Sequence, residues 1–326
     1  MSEEKPATAE NRPMPFASVG PHARIWHPLL IIVGGFFAFM FWVVMPQGIL
    51  GGIDGASGIT DLQDPRSLTM RYALPAVAAG FGLVLLHFLF WTRTIERRPL
   101  TSIGLQGPGF AGKYVRGLGL GIIFAIIGTI GGAAIATSQG YTVPELAPGA
   151  LPRLSEILVL TALLIIPAFL LQGGTEEVVF RGWMLSALSA RTSITLAVIV
   201  SGIAFGLFHL DRLLVDPKFA AIFMAGTSVM GVFLGVWAVQ AGSIAGPMGF
   251  HGAYNVLLLL TSYLEAASRA APGDTGSAVF SRMIQEGMSS APRYMDYIAV
   301  QQTLIVALSI IGIVWILLSR PSSTDE

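Results

Sequence analysis

Ionisable residues interrupt this chain so seldom that its long uncharged runs decide what it can fold into. Stretches without Asp, Glu, Lys or Arg cover residues 25–53, 72–92, 117–144, 157–175, 192–210, 219–264 and 297–319. A bilayer-crossing helix needs roughly 18–20 apolar residues, and each run is long enough. The window 219–264 is too long for one span and divides at Gln240-Ala-Gly-Ser-Ile-Ala-Gly-Pro247, a turn-forming stretch. Lipid offers no partner to an unpaired backbone group, so helix is the economical structure for every run. The expected fold is therefore all-α: a polytopic membrane bundle of about eight transmembrane helices.

Composition narrows the function classes. Charged residues make up 12% of the 326, about half the roughly 25% usual in soluble domains, and 53% are hydrophobic. A soluble fold of this length cannot hide so much apolar side chain, which excludes soluble enzymes, secreted modules and disordered chains. The 19 basic and 19 acidic residues balance, leaving no basic footprint for nucleic acid. With no cysteine, disulfides, zinc–thiolate sites and cysteine nucleophiles are impossible.

Residues 1–24 are polar, with Pro6, Pro13, Pro15 and Pro21, and are expected to form a disordered tail. The first apolar run starts too late and runs too long for a cleaved signal peptide. Residues 25–320 make up the transmembrane domain and 321–326 a short polar tail. Within the domain, 265–296 carries seven charges and reads as an extramembrane loop, with a short amphipathic helix near Val279–Met288. Eight spans put both termini on one side, which holds eleven Lys and Arg against eight opposite, so the termini are expected in the cytoplasm. The pairs Gly117/Gly121, Gly128/Gly132, Gly202/Gly206 and Gly231/Gly235 suit close helix packing.

Charges inside a span are costly and mark function. Gly173-Gly-Thr-Glu-Glu-Val-Val-Phe-Arg-Gly-Trp183 continues an apolar run, so 156–189 reads as one long helix, bent at Gly173-Gly174, with Glu176, Glu177 and Arg181 at membrane depth. Glu177 and Arg181 stand four apart, acid before base, and form a structural ion pair. Glu176 is turned about 100° from Glu177 and is free to face another helix. The next helix ends in Phe205-Gly-Leu-Phe-His209, where ring and imidazole share a face. His251-Gly-Ala-Tyr-Asn255 places two more polar groups on one face of an apolar run. Measured from the turn near Arg191-Thr192, Glu176 and His209 both lie roughly 22–26 Å away, so antiparallel packing brings them to one depth. His22 and His27 precede the first span, and His87 stands alone on an apolar one.

Taken together, Glu176-Glu177-Val-Val-Phe-Arg181, Phe205-Gly-Leu-Phe-His209 and His251-Gly-Ala-Tyr-Asn255 match EExxxR, FxxxH and HxxxN, in order and without a substitution. On these motifs, over about 155–260, the chain resembles the CAAX-protease and bacteriocin-processing (Abi) family of intramembrane endopeptidases. The resemblance implies hydrolysis of a peptide bond in a membrane-associated protein or peptide, in the plasma membrane of a bacterium. It also implies that Glu176 and His209 activate a water while His251 and Asn255 stabilise the oxyanion. The chemistry asks for such a set: a base, an acid for the leaving amine, and donors on the developing charge.

Two histidines and a glutamate also suit zinc with a water in the open position, so Glu176, His209 and His251 stand as an alternative ligand set. The metal-free reading, with no cofactor, is preferred because the two histidines lie 42 residues apart and no HExxH helix is present. Two other functions compete. A catalytically silent immunity or scaffold protein of the same family has no reason to keep all four polar residues. An ion or proton transporter would show repeats between its halves, and none is found.

Overall fold

The computed structural model of the protein describes residues 14–60, 67–105, 107, 109–143, 150–268, 279–280, 282–283 and 291–319, without the side chains of 70, 150–162, 268 and 291–292. Among these are eight long helices and no strand: α1 (Pro28–Ala56), α2 (Ala73–Phe90), α3 (Phe110–Ile126), α4 (Ala150–Glu177), α5 (Ile194–Leu207), α6 (Pro217–Ala241), α7 (Ala245–Ser268) and α8 (Met295–Leu318). Polar side chains start several of them by accepting orphan N–H groups. The His27 ring takes that of Leu29, Ser193 that of Leu196, and Asp216 that of Phe219. Pro28 and Pro217 open α1 and α6, where the missing N–H costs nothing.

Three helices run on through π-helical turns: α2 through Trp91–Ile95, α3 through Ile127–Gly131 and then Gly132–Ser138, and α4 through Val178–Met184 and then Leu185–Ser189. Seven helices are long and apolar enough to cross a membrane, so this is an integral, multi-pass membrane protein. The exception by composition is α7. At 24 residues it is long enough, but it packs chiefly along α3 and α4. A helix lined by protein rather than lipid can carry Gly, His, Asn and Ser.

Glycine lets α7 sit there. A Cβ on Gly117 or Gly121 of α3 would run into the carbonyls of Gly246 and Phe250 of α7. One on Gly173 of α4 would lie 2.6 Å from the Gly252 nitrogen. The helix is not interrupted at Gly173-Gly174, where a bend is expected from sequence. The helix runs regularly through both, and its irregular turn begins at Val178, directly after the two glutamates. Gly202 and Gly231 form a similar seam between α5 and α6, whereas a methyl on Gly128 would make only ordinary contact with Ile305 at 3.6 Å.

Residues 14–24 do not trail away as a disordered tail. Val19 is buried, the Phe16 ring lies against Gly104, and the Arg24 N–H donates to the Glu96 carbonyl at 2.9 Å. The remainder of that expected tail, 1–13, and the tail 321–326 fall outside the described residues. Of the expected loop helix, 279–280 and 282–283 are described. They are helical, and Val279, Phe280 and Met283 are buried in a cluster with Ile165, Phe169 and Tyr263.

Glu96 and Arg98, which lie between the uncharged runs 72–92 and 117–144, are fully buried and paired at 2.9 Å. The Trp183 indole donates to Glu96 at 2.9 Å, and Arg98 donates to Ser186, so the pair fastens the end of α2 to the far end of α4. Burial pushes the Glu96 carboxyl above its ordinary range, against the pull of Arg98 and the indole.

Candidate active site

The two glutamates of α4 end its regular α-helical part, and the π-helical turn that follows carries Arg181. Such turns change helical phase and recur at functional sites. Arg181 Nη1 donates to Glu177 Oε1 at 2.7 Å, with both side chains fully buried. The ion pair expected from spacing is therefore present, but it is not isolated. His251 Nδ1 lies 2.7 Å from the same Glu177 oxygen. With Nδ1 carrying its proton, His251 donates there, and its ring orientation is fixed by α4.

Glu176 is not left alone either. Its Oε2 stands 3.4 Å from His251 Nε2, and its Oε1 accepts from Gln172 Nε2 at 3.3 Å. His251 thus sits between two neighbouring carboxylates, one at each ring nitrogen. Nothing in the sequence announced this, because the histidine lies 74 residues beyond Glu177 on another helix. The signal that could have pointed to it is the shared HxxxN face.

His209 closes α5. Its Nδ1 is 3.0 Å from the carbonyl oxygen of Phe205. Donating there leaves Nε2 as the accepting nitrogen. Phe205 does more than wall one side of this imidazole. Its ring centre is 5.4 Å from both His209 and His251, edge to face, and the Arg181 guanidinium lies 4.5 Å from it.

Glu176, His209, His251 and Asn255 all line one cavity of 320 Å³. Glu177 and Arg181 do not; they stand behind it. The matched depth expected for Glu176 and His209 is thus realised as a shared wall. The cavity also takes Gln172, Arg212, Phe223, Thr227, Tyr254 and Gln302, from four different helices and the segment after α5. Sequence singled out none of these six, since each is an ordinary residue of its span until the helices assemble. His87 lies elsewhere, its ring packed among Trp42, Phe88 and Trp91.

Glu176 and His251 are close enough to share an ion, but among the described residues no three His, Cys, Asp or Glu side chains converge to hold one. As placed, the set Glu176, His209 and His251 does not fit tetrahedral zinc.

Residues 158–257 match the family model of Rce1-like type II CAAX prenyl endopeptidases. The match covers the three motifs and agrees with the family resemblance of the sequence: over these residues the chain is similar to a peptidase family. No curated protein and no solved structure matches the chain.

Proposed function

We propose that the protein is an intramembrane endopeptidase that hydrolyses a peptide bond near the C-terminus of a membrane-associated, prenylated protein or peptide. The observation that carries this reading is the convergence of Glu176, His209, His251 and Asn255, from three helices, on one cavity inside the bundle. The family name supplies the prenylated class, in which the modified cysteine stands three residues before the C-terminus.

The mechanism follows from the ring nitrogens. A water between Glu176 and His209 is oriented by the accepting Nε2 of His209 and loses its proton to the Glu176 carboxylate as its oxygen attacks the scissile carbonyl. The oxyanion then needs donors. The Asn255 amide supplies one. His251 supplies the other from Nε2, a role that requires an N–H on both ring nitrogens, with Nδ1–H on Glu177. The tetrahedral intermediate collapses, the C–N bond breaks, and Glu176 returns its proton to the leaving amine. One water is consumed, and an acid and an amine are released. No metal or cofactor is needed. Arg181 neutralises Glu177 and keeps that carboxylate aimed at His251.

The test uses purified full-length protein and a fluorogenic peptide with a farnesylated cysteine followed by three residues. Glu176→Gln and His209→Ala should each lose turnover at least about 1,000-fold while melting within a few degrees of wild type. Wild-type rates in either variant would remove that residue from the mechanism. Failure of the wild type to cleave, together with membrane proteomes indistinguishable between wild type and Glu176→Gln, would remove proteolysis itself.

A further inference from the structure

Among the described residues that line the cavity, Arg212 is the one Lys or Arg, and the hydrolysis described above makes no use of it. It lies one turn beyond His209, in the short 3-10 helix Leu210–Leu214, with its N–H donating to the His209 carbonyl at 3.1 Å. Its guanidinium is 5.3 Å from the centre of the Phe223 ring, and the same ring is 5.4 Å from the His209 imidazole. These two distances to a common ring place guanidinium and imidazole within about 11 Å of each other. Phe223 lies against the guanidinium, and both residues line the cavity.

The charge is poorly used as it stands. Arg212 Nε is buried without a hydrogen-bond partner. The adjacent Asp211 Oδ2 is 3.7 Å from it, beyond hydrogen-bond reach, on a side chain 56% exposed. A guanidinium lining a cavity of a membrane protein is costly unless it meets an anion, and its planar fork suits a carboxylate by two parallel bonds. Extended chain covers about 3.3–3.6 Å per residue, so three residues reach about 10 Å. A peptide bond held at His209 therefore lets a carboxylate up to three residues downstream reach this fork. The anion that every peptide carries on that side, whatever its side chains, is its C-terminal carboxylate.

We infer that Arg212 is a specificity-determining residue that binds the free C-terminal carboxylate of the substrate and so restricts cleavage to bonds close to a chain end. The inference rests on the proteolytic reading and adds the rule by which a bond is chosen. The leaving segment is clamped at its far end by Arg212 while its scissile carbonyl meets Asn255 and His251. An internal bond of a long loop brings no carboxylate to the fork and binds without that contact.

Two farnesylated fluorogenic peptides, identical except for a C-terminal acid or amide, test this on the full-length protein in detergent. The reading is the acid-to-amide ratio of kcat/KM within one preparation, so a partly misfolded variant does not distort it. Wild type should favour the acid by about 10- to 100-fold, the range of a charge-assisted contact, mostly through KM. Arg212→Gln should bring the ratio close to one, and Arg212→Lys, which keeps charge without the fork, should fall between. Equal use of acid and amide by wild type would overturn the inference while leaving proteolysis intact. So would an Arg212→Gln variant that keeps the wild-type ratio, the outcome expected if Arg212 instead holds a lipid phosphate. Cleavage of neither peptide by wild type would remove the proteolytic reading and this inference together.

Discussion

Replacing Arg181 by Ala separates what holds the site together from what does the chemistry. Arg181 is fully buried, bonded to Glu177 at 2.7 Å and packed on Phe205 at 4.5 Å. Breaking a buried ion pair from one side costs about 3–5 kcal/mol, because the remaining charge stays in a poor medium. Loss of the guanidinium from the ring adds about 1 kcal/mol. Glu177 keeps its 2.7 Å contact to His251, and a bond to a charged group offsets about 1.5–3 kcal/mol of that. The net loss is about 3 kcal/mol, or roughly 4–5 °C in melting midpoint for a chain of 326 residues.

The double change Glu177→Gln, Arg181→Gln removes both charges and should recover about half of that loss. Turnover should not recover with it. A glutamine can present its N–H to His251 Nδ1, which must then give up its own proton, so the ring no longer carries an N–H on both nitrogens. We expect a deficit of at least about 10-fold to persist in the double variant. Fluorescence-detected melts in detergent and turnover on the same preparations decide it. No thermal recovery in the double variant would mean the pair is not what Arg181→Ala breaks. Full turnover there would mean Glu177 does not orient His251.

Asn255→Ala should lower kcat about 100- to 1,000-fold with little change in KM, as expected for a donor that acts on the oxyanion. Elemental analysis and exhaustive chelation are the accompanying measurements. Stoichiometric zinc that is lost in His251→Ala and restores activity when returned would replace the metal-free mechanism with a metal one. Gly173→Ala should destabilise by about 1–3 kcal/mol, because its methyl meets the Gly252 backbone, which has no side chain to move aside. A melt unchanged from wild type would mean the α4–α7 contact is looser than 2.6 Å implies.

Membrane helices are unusually legible in sequence, because lipid forces each span to satisfy its own backbone and the uncharged runs show where. Element type, approximate span positions and the turn dividing α6 from α7 followed from that rule alone. Four of the polar residues that line the cavity are visible in the sequence too. Glu176, His209, His251 and Asn255 stand out because polar groups are rare in such runs, and the Glu177–Arg181 pair is a matter of spacing within one helix. What sequence could not decide is which helix faces which. Glu177 and His251 meet because glycines at 173 and 252 let α4 and α7 approach closely, a contact between residues far apart in the chain. The same assembly buried Glu96 and Arg98, drew Val19 and Phe280 inward, and turned Arg212 toward the cavity. Local hydrogen bonding fixes the helices; only close packing between them sets the partners of a charge.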